Sequence, residues 1–317
     1  MKFVNFIQGQ KHNLGVLNSS GKIVSFTDLG IETNDMNEFI IYFDKFKHKL
    51  TDLDSKIAYE IPKENYLAPI IEPRQDIICL GINFLDHAKE SAKFKGEKFE
   101  EREYPVYFGK RCNQATPPFG DIPLHADVTS QLDYECELAF ILSKDAYKIK
   151  AKDAKDYIFG YTIINEISAR ELQKRHKQFY RAKSLEGSTI MGPYITSVEE
   201  ISYPPKLQLQ SYVNDELRQN SNTQLFIFDI AYVLEELSTG MLLKAGSIIS
   251  MGTPSGVGMG LNPPTFLKSG DKVRCVIENL GELCNKIKKK TLNKKYQLLN
   301  NLLKLKYNDI LRNLNLR

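Results

Sequence analysis

The 317-residue chain has no apolar run approaching the roughly 20 residues of a membrane-spanning helix, so no transmembrane segment is expected. Its opening residues, Met1-Lys-Phe-Val-Asn-Phe6, lack a basic stretch followed by an apolar one, and no secretory signal is apparent. The five cysteines (Cys79, Cys112, Cys136, Cys275, Cys284) are scattered, and no pair has Cys-x-x-Cys spacing. Reduced thiols in a cytoplasmic protein are the expectation. The glycine-rich stretch Gly246-Ser-Ile-Ile-Ser-Met-Gly-Thr-Pro-Ser-Gly-Val-Gly258 is not Gly-x-x-x-x-Gly-Lys-[Ser/Thr] and does not open a helix, which excludes a nucleotide loop. The net charge of +4 is uneven. Residues 286–317 hold ten Lys or Arg and one Asp, a net of +9, leaving the remainder at −5. A mildly acidic body offers no nucleic-acid surface, and none is expected as a partner.

The most informative stretch is Gln131-Leu-Asp-Tyr-Glu-Cys-Glu-Leu-Ala-Phe-Ile-Leu142. A strand sends alternate side chains to opposite faces, so Glu135 and Glu137 share one face while Cys136, Leu138 and Phe140 share the other and suit a core. Two adjacent carboxylates on a half-buried strand repel each other and are costly to desolvate unless a cation sits between them. Oxygen-only ligands favour a hard ion such as Mg²⁺, Mn²⁺ or Ca²⁺. The competing reading is a solvent-facing edge strand with two ordinary glutamates.

Residues 1–70 read as a small α+β unit with strands at Lys2–Ile7, Gly15–Leu17 and Ile23–Phe26. A helix over residues 36–50 is expected, with Asp35 as its cap. The proline-spaced stretch 62–73 reads as a linker. Asp76-Ile-Ile-Cys-Leu-Gly-Ile82 then reads as a buried strand delivering Asn83-Phe-Leu-Asp-His-Ala-Lys-Glu90. On a helical turn His87 and Glu90 meet at i and i+3; the carboxylate would fix the imidazole tautomer and free the other nitrogen to take a proton. The charged segment 88–104 suits a mobile lid or a solvated helix and loop. A second buried strand, Ile158–Ile164, ends in Asn165-Glu166 and brings a third carboxylate to a strand terminus. Arg170 and Gln173 follow on one helical face, and Lys183 reads as part of a glycine-rich loop. The turn at 252–258 would let backbone N–H groups approach an anionic ligand. Residues 266–285 suggest a closing hairpin.

Four ordered segments resemble the fumarylacetoacetate hydrolase superfamily over residues 75–285. They are Gly81-Ile-Asn-Phe-Leu-Asp-His-Ala-Lys-Glu90, Asp133-Tyr-Glu-Cys-Glu-Leu138, Gly160-Tyr-Thr-Ile-Ile-Asn-Glu-Ile-Ser-Ala-Arg170 and Met251-Gly-Thr-Pro-Ser-Gly-Val-Gly258. The short N-terminal unit is similar to that of bacterial members acting on small keto acids. The resemblance implies that Glu135, Glu137 and Glu166 hold Mg²⁺ or Mn²⁺ and that His87 and Glu90 orient or activate water. It also places Lys183, Arg170, Gln173 and Thr253 against substrate. Two departures matter. Glu166, one methylene longer, replaces the usual Asp at the third ligand, and Glu186, Ser188 and Ile190 alter the segment after Lys183, which bears on substrate more than on fold.

The expected fold is α/β and strand-dominated: a small N-terminal domain (1–70), a mixed β-roll catalytic domain (71–285) and a basic amphipathic tail (286–317). The leading functional expectation is metal-dependent C–C hydrolysis of a short 2-oxo or 1,3-dioxo acid, of the acylpyruvate or fumarylpyruvate type, by a homodimer. Oxaloacetate decarboxylation or tautomerisation, or hydroxymuconate-type isomerisation, begins from the same chelated keto acid and is the alternative. A non-catalytic homologue that binds a keto acid or partner is a third. In the tail, Leu292, Tyr296, Leu299, Leu303, Tyr307, Ile310 and Leu314 recur at helical spacing. That stripe would pack on the body or a second subunit, dock on an anionic surface, or fray.

Overall fold

A computed structural model describes residues 1–96, 98 and 103–289. The apolar stripe of the tail therefore lies outside the described residues, as does part of the charged segment read as a lid. The strands are, in chain order, β1 (Lys2–Gln8), β2 (Lys11–Leu17), β3 (Ile23–Ser25), β4 (Tyr66–Leu67), β5 (Ile77–Gly81), β6 (Val106–Lys110), β7 (Asp121–Pro123), β8 (Leu132–Asp133) and β9 (Cys136–Leu142). They continue with β10 (Ile158–Glu166), β11 (Ser168–Ala169), β12 (Thr189–Ser197), β13 (Gln208–Val213), β14 (Glu216–Asn222), β15 (Ile248–Ser250), β16 (Lys272–Ile277) and β17 (Gly281–Lys288). The α-helices are α1 (Met36–Ile41), α2 (Phe43–Phe46), α3 (Leu85–Lys95), α4 (Arg170–His176), α5 (Tyr180–Lys183) and α6 (Ile230–Ser238). None among the described residues is long and apolar enough to cross a membrane.

A ten-stranded sheet runs in the order β3-β2-β1-β12-β10-β9-β15-β5-β6, with β4 added on β1. A second sheet, β14-β13-β16-β17-β7, packs over its middle. The alternation read in the Glu-x-Glu strand divides the interior. Cys136, Leu138, Phe140 and Leu142 face the second sheet and join Leu209, Val273, Cys275 and Leu283 in one core. Ala139 and Ile141 point the other way and pack with Ile164, Met191, Phe3 and Phe39. Strand β9 is buried along its whole length between β10 and β15, which rules out the edge-strand reading.

The N-terminal segment, read from the sequence as a separate unit, shares one sheet and one core with β9, β10 and β12. Strand β1 pairs antiparallel with β12, Phe3 opposite Ile195. Phe3 and Phe39 pack against Phe159 of β10. Strand β12 completes the open edge of β1, and Phe39 of α1 packs on Phe3 to cover one face, support that a unit of this size would otherwise need to find within itself. Asp35 caps α1, its Oδ1 accepting from the Asn37 amide at 2.9 Å. The stretch read as a linker contributes β4 and the fully buried Ile70. At the far end, β17 runs to Lys288, past the expected boundary at 285, because Ile287 is buried and pairs parallel with β7.

Candidate active site

The register of β9 against β10 assembles the carboxylates. Ile164 lies opposite Glu137 and Asn165 opposite Cys136. Continuing that register sets Glu166 beside Glu135, and the Glu166 amide donates to the Glu135 carbonyl at 2.8 Å. Residues directly opposite share a face, so Glu135 and Glu166 meet and Glu137 stands diagonal to them. One oxygen from each of the three lies within 4.8 Å of the others, and all three side chains are buried.

Cations hold this charge together. The Lys183 ammonium bridges Glu135 and Glu166, 2.6 Å from Glu166 Oε2. Arg170 donates through Nη1 to Glu135 Oε1 at 2.6 Å and through Nε to Asp133 Oδ2 at 2.8 Å. Burial opposes ionisation of Glu135, but Lys183 and Arg170 overcome it and hold its carboxyl below the usual range. Among the described residues Glu137 has no such ion-pair partner. Burial first, then the charges of Glu166 and Glu135, push its carboxyl well up, although Ser250 Oγ donates to it at 2.6 Å. Glu166 Oε1 is buried with no hydrogen-bond partner. Three convergent oxygens, one orphaned and one carboxyl held above its usual range, fit a divalent cation.

Lys183 is not in a loop as the sequence suggested. It ends α5, and its carbonyl accepts from Lys110 Nζ and, at 2.9 Å, from Ser188 Oγ. Ser188, one of the departures from the family pattern, thus helps seat the lysine that bridges the carboxylates. Burial lowers the pKa of Lys110, which is wholly enclosed.

His87 and Glu90 meet on α3 with Nδ1 2.9 Å from Glu90 Oε2. The carboxylate acceptor assigns the proton to Nδ1 and leaves Nε2 as the basic nitrogen. Glu90 Oε1 accepts from the Gly256 amide at 2.9 Å. The glycine-rich turn does receive anions, but they are the protein's own carboxylates. Gly252 N donates to Glu137 at 3.2 Å, Gly258 N to Asp133 Oδ1 at 2.7 Å and Met259 N to Asp133 Oδ2 at 3.0 Å. Glycine is required at 256, where φ is +99° and a Cβ would come within 2.0 Å of the Arg218 carbonyl.

His87, Glu135, Glu137, Arg170, Gln173, Lys183 and Thr253 all open on one cavity of about 540 Å³. Glu90 and Glu166 stand behind them, through His87 and Lys183. Among the described residues, Arg170 Nη2 is buried without a hydrogen-bond partner, while Nε and Nη1 are engaged. Thr253 Oγ1 is committed, donating to the Cys136 carbonyl at 3.0 Å and accepting from Gln219 Nε2 at 2.7 Å.

Sequence reasoning assigned no role to Asp133 or Gln219. Asp133 lies within the Asp-Tyr-Glu-Cys-Glu-Leu segment, so its signal was present. Gln219 gave none, since it sits among polar residues of β14. Fully buried, it accepts from the Cys136 amide at 3.1 Å and donates to the Pro254 carbonyl at 2.8 Å, tying the peptide between the two glutamates to the turn.

The Fumarylacetoacetate (FAA) hydrolase C-terminal profile matches residues 76–288, the segment that carries every one of these groups. The chain belongs to that family. It is 45% identical over 239 residues to oxaloacetate tautomerase YisK of Bacillus subtilis (strain 168), covering 75% of this chain and 78% of that protein. A solved fumarylacetoacetate hydrolase from psychrophilic Exiguobacterium antarcticum superposes with a TM-score of 0.80 at 37% identity, over 92% of this chain and all of that one. Maleylpyruvate hydrolase from Sphingobium sp. SYK-6, solved with manganese(II) and pyruvate, aligns with a TM-score of 0.73 at 25% identity, over 91% of this chain and 99% of that one. The chain is an enzyme of this family, whose named members here act as tautomerase and hydrolase.

Proposed function

We propose that this enzyme interconverts the keto and enol forms of a short 2-oxo dicarboxylic acid of the oxaloacetate type, with a divalent ion held by Glu135, Glu137 and Glu166. The observation that carries the reading is the shared cavity. Glu135 and Glu137 of the carboxylate cluster and His87 of the His87–Glu90 pair open on the same 540 Å³ space, so a proton-transfer group shares a cavity with a place for a chelating keto acid. The 45% identity to a tautomerase supports the reaction type and moves tautomerisation ahead of the hydrolysis favoured by the sequence alone.

Arg170 would bind the substrate carboxylate through Nη2, a reading supported by the lack of a protein partner for that nitrogen among the described residues. When bound, the ion supplies Lewis acidity at the 2-oxo group. His87 Nε2 takes a proton from C3 and returns it to the C2 oxygen, so one C–H bond breaks, one O–H bond forms, and no other reactant is consumed. Glu90 stabilises the transient imidazolium. Lys183 adds positive charge beside the developing oxyanion. The five cysteines are all free thiols, which fits a reducing cytoplasm.

C–C hydrolysis is the second reading. It is favoured by the likeness to a maleylpyruvate hydrolase and uses the same histidine to activate water. The test follows oxaloacetate enol decay spectroscopically with added Mg²⁺ or Mn²⁺, in parallel with pyruvate release from acylpyruvates. Acceleration of the enol–keto conversion is expected. Cleavage of acylpyruvates with enol decay left at the buffer rate would overturn the assignment in favour of hydrolysis.

A further inference from the structure

Four cations line the cavity, and they fall into two classes. Arg170 and Lys183 are buried and already ion-paired with Asp133, Glu135 and Glu166. Lys174 and Lys177 stand at the exposed side of the same cavity, and neither has a carboxylate partner among the described residues. They follow Gln173 along and just beyond α4, so the lining carries an amide and then two ammonium groups. Phe94, Phe108, Phe179 and Leu80 line the same cavity. An anion entering would leave its chelating end at the cluster. A second negative group would be drawn towards the lysines.

The backbone adds an independent observation. Lys177 terminates α4 in the left-handed region, with φ +52° and its amide donating to the Gln173 carbonyl. Glycine occupies such a cap without strain, whereas a side chain with a Cβ is strained there. A lysine at that place, on a cavity wall, is strain located where a charge is useful.

We propose that Lys174 and Lys177 form the subsite for the distal carboxylate, selecting 2-oxo dicarboxylates over 2-oxo monocarboxylates; this rests on the keto-acid reading above. Both lysines are solvent-accessible, so each attraction is screened, and the pair acts on affinity rather than on the chemical step.

The experiment compares the full-length enzyme with Lys174→Met, Lys177→Gly and the double variant. It measures kcat and KM for oxaloacetate tautomerisation and, by calorimetry with Mn²⁺ present, Kd for pyruvate, which carries the same 2-oxo head without the second carboxylate. The expected result is a KM for oxaloacetate raised about two- to fivefold by each change and about tenfold by both, with the effect confined to KM. Pyruvate Kd should stay within about twofold, since it carries no second carboxylate for the lysines to hold. Lys177→Gly should also unfold no earlier than wild type, because glycine relieves the cap; a merely structural lysine would change melting without changing selectivity. Equal weakening of pyruvate and oxaloacetate would overturn the proposal by showing that the lysines serve the common head or the general field. Unchanged KM for oxaloacetate in the double variant would overturn it outright. A wild-type enzyme inert towards oxaloacetate that still binds pyruvate would instead refute the tautomerase reading, and the subsite with it.

Discussion

The ion pair between Arg170 and Asp133 offers the sharpest test of how the site is held. Both side chains are almost wholly enclosed, with Arg170 Nε 2.8 Å from Asp133 Oδ2. Asp133 also accepts from the amides of Tyr134, Gly258 and Met259 at 2.7–3.0 Å, so it joins the helix carrying Arg170 to the glycine turn. Asp133→Asn preserves the shape but removes the charge. Its amide group would present donors towards donors at one oxygen position. Removing one partner of a buried pair costs about 3–5 kcal/mol because the other charge is left uncompensated. Here Glu135 still neutralises Arg170 in part, at 2.6 Å, so the lower end, about 3 kcal/mol, is expected. That is a large share of the roughly 5–15 kcal/mol of a typical domain. The assay is urea unfolding of wild type, Asp133→Asn, Arg170→Met and the double variant. The double variant should lose less than the sum of the singles, with a coupling of about 2 kcal/mol, within the span measured for contacting residues. Additivity to within about 0.5 kcal/mol would show that the two groups do not stabilise each other and would refute the clamp.

The same geometry sets further outcomes. Mn²⁺ should raise the melting temperature of wild type, and Glu137→Ala should remain folded while losing that shift and its activity; calorimetry showing wild-type Mn²⁺ affinity in the variant would remove Glu137 from the ion site. His87→Ala should lower kcat by roughly 10²–10⁴-fold, the range for loss of a general base, and wild-type turnover would take the imidazole out of the mechanism. Gln219→Leu should weaken Mn²⁺ binding about 10- to 100-fold, as loss of a group supporting the ligands does, and unchanged affinity in a folded variant would leave Gln219 with packing alone. Truncation after Lys289 should preserve kcat/KM, because every described site residue lies upstream. Truncation after Asn285 should destabilise the fold by removing the buried Ile287 and the β17–β7 pairing.

What the sequence by itself determined was local. Alternation from Tyr134 to Phe140 assigned Glu135 and Glu137 to one face and Leu138 and Phe140 to the core, because a strand has a period of two whatever surrounds it. The i, i+3 spacing of His87 and Glu90 brought them together for the same kind of reason, the fixed pitch of a helix. The four ordered segments then identified the family. Tertiary structure decided what depends on partners distant in the chain. The register of β9 on β10, not any spacing, put Glu166 beside Glu135. The sequence around Lys183 reads as a loop, whereas the fold ends α5 there with Lys110 and Ser188 holding its carbonyl, and Gln219 gives no signal because its three partners are 34 to 83 residues away. The joining of β1 to β12 was hidden likewise: a strand states that its edges need partners, but only the folded chain states which strand provides them.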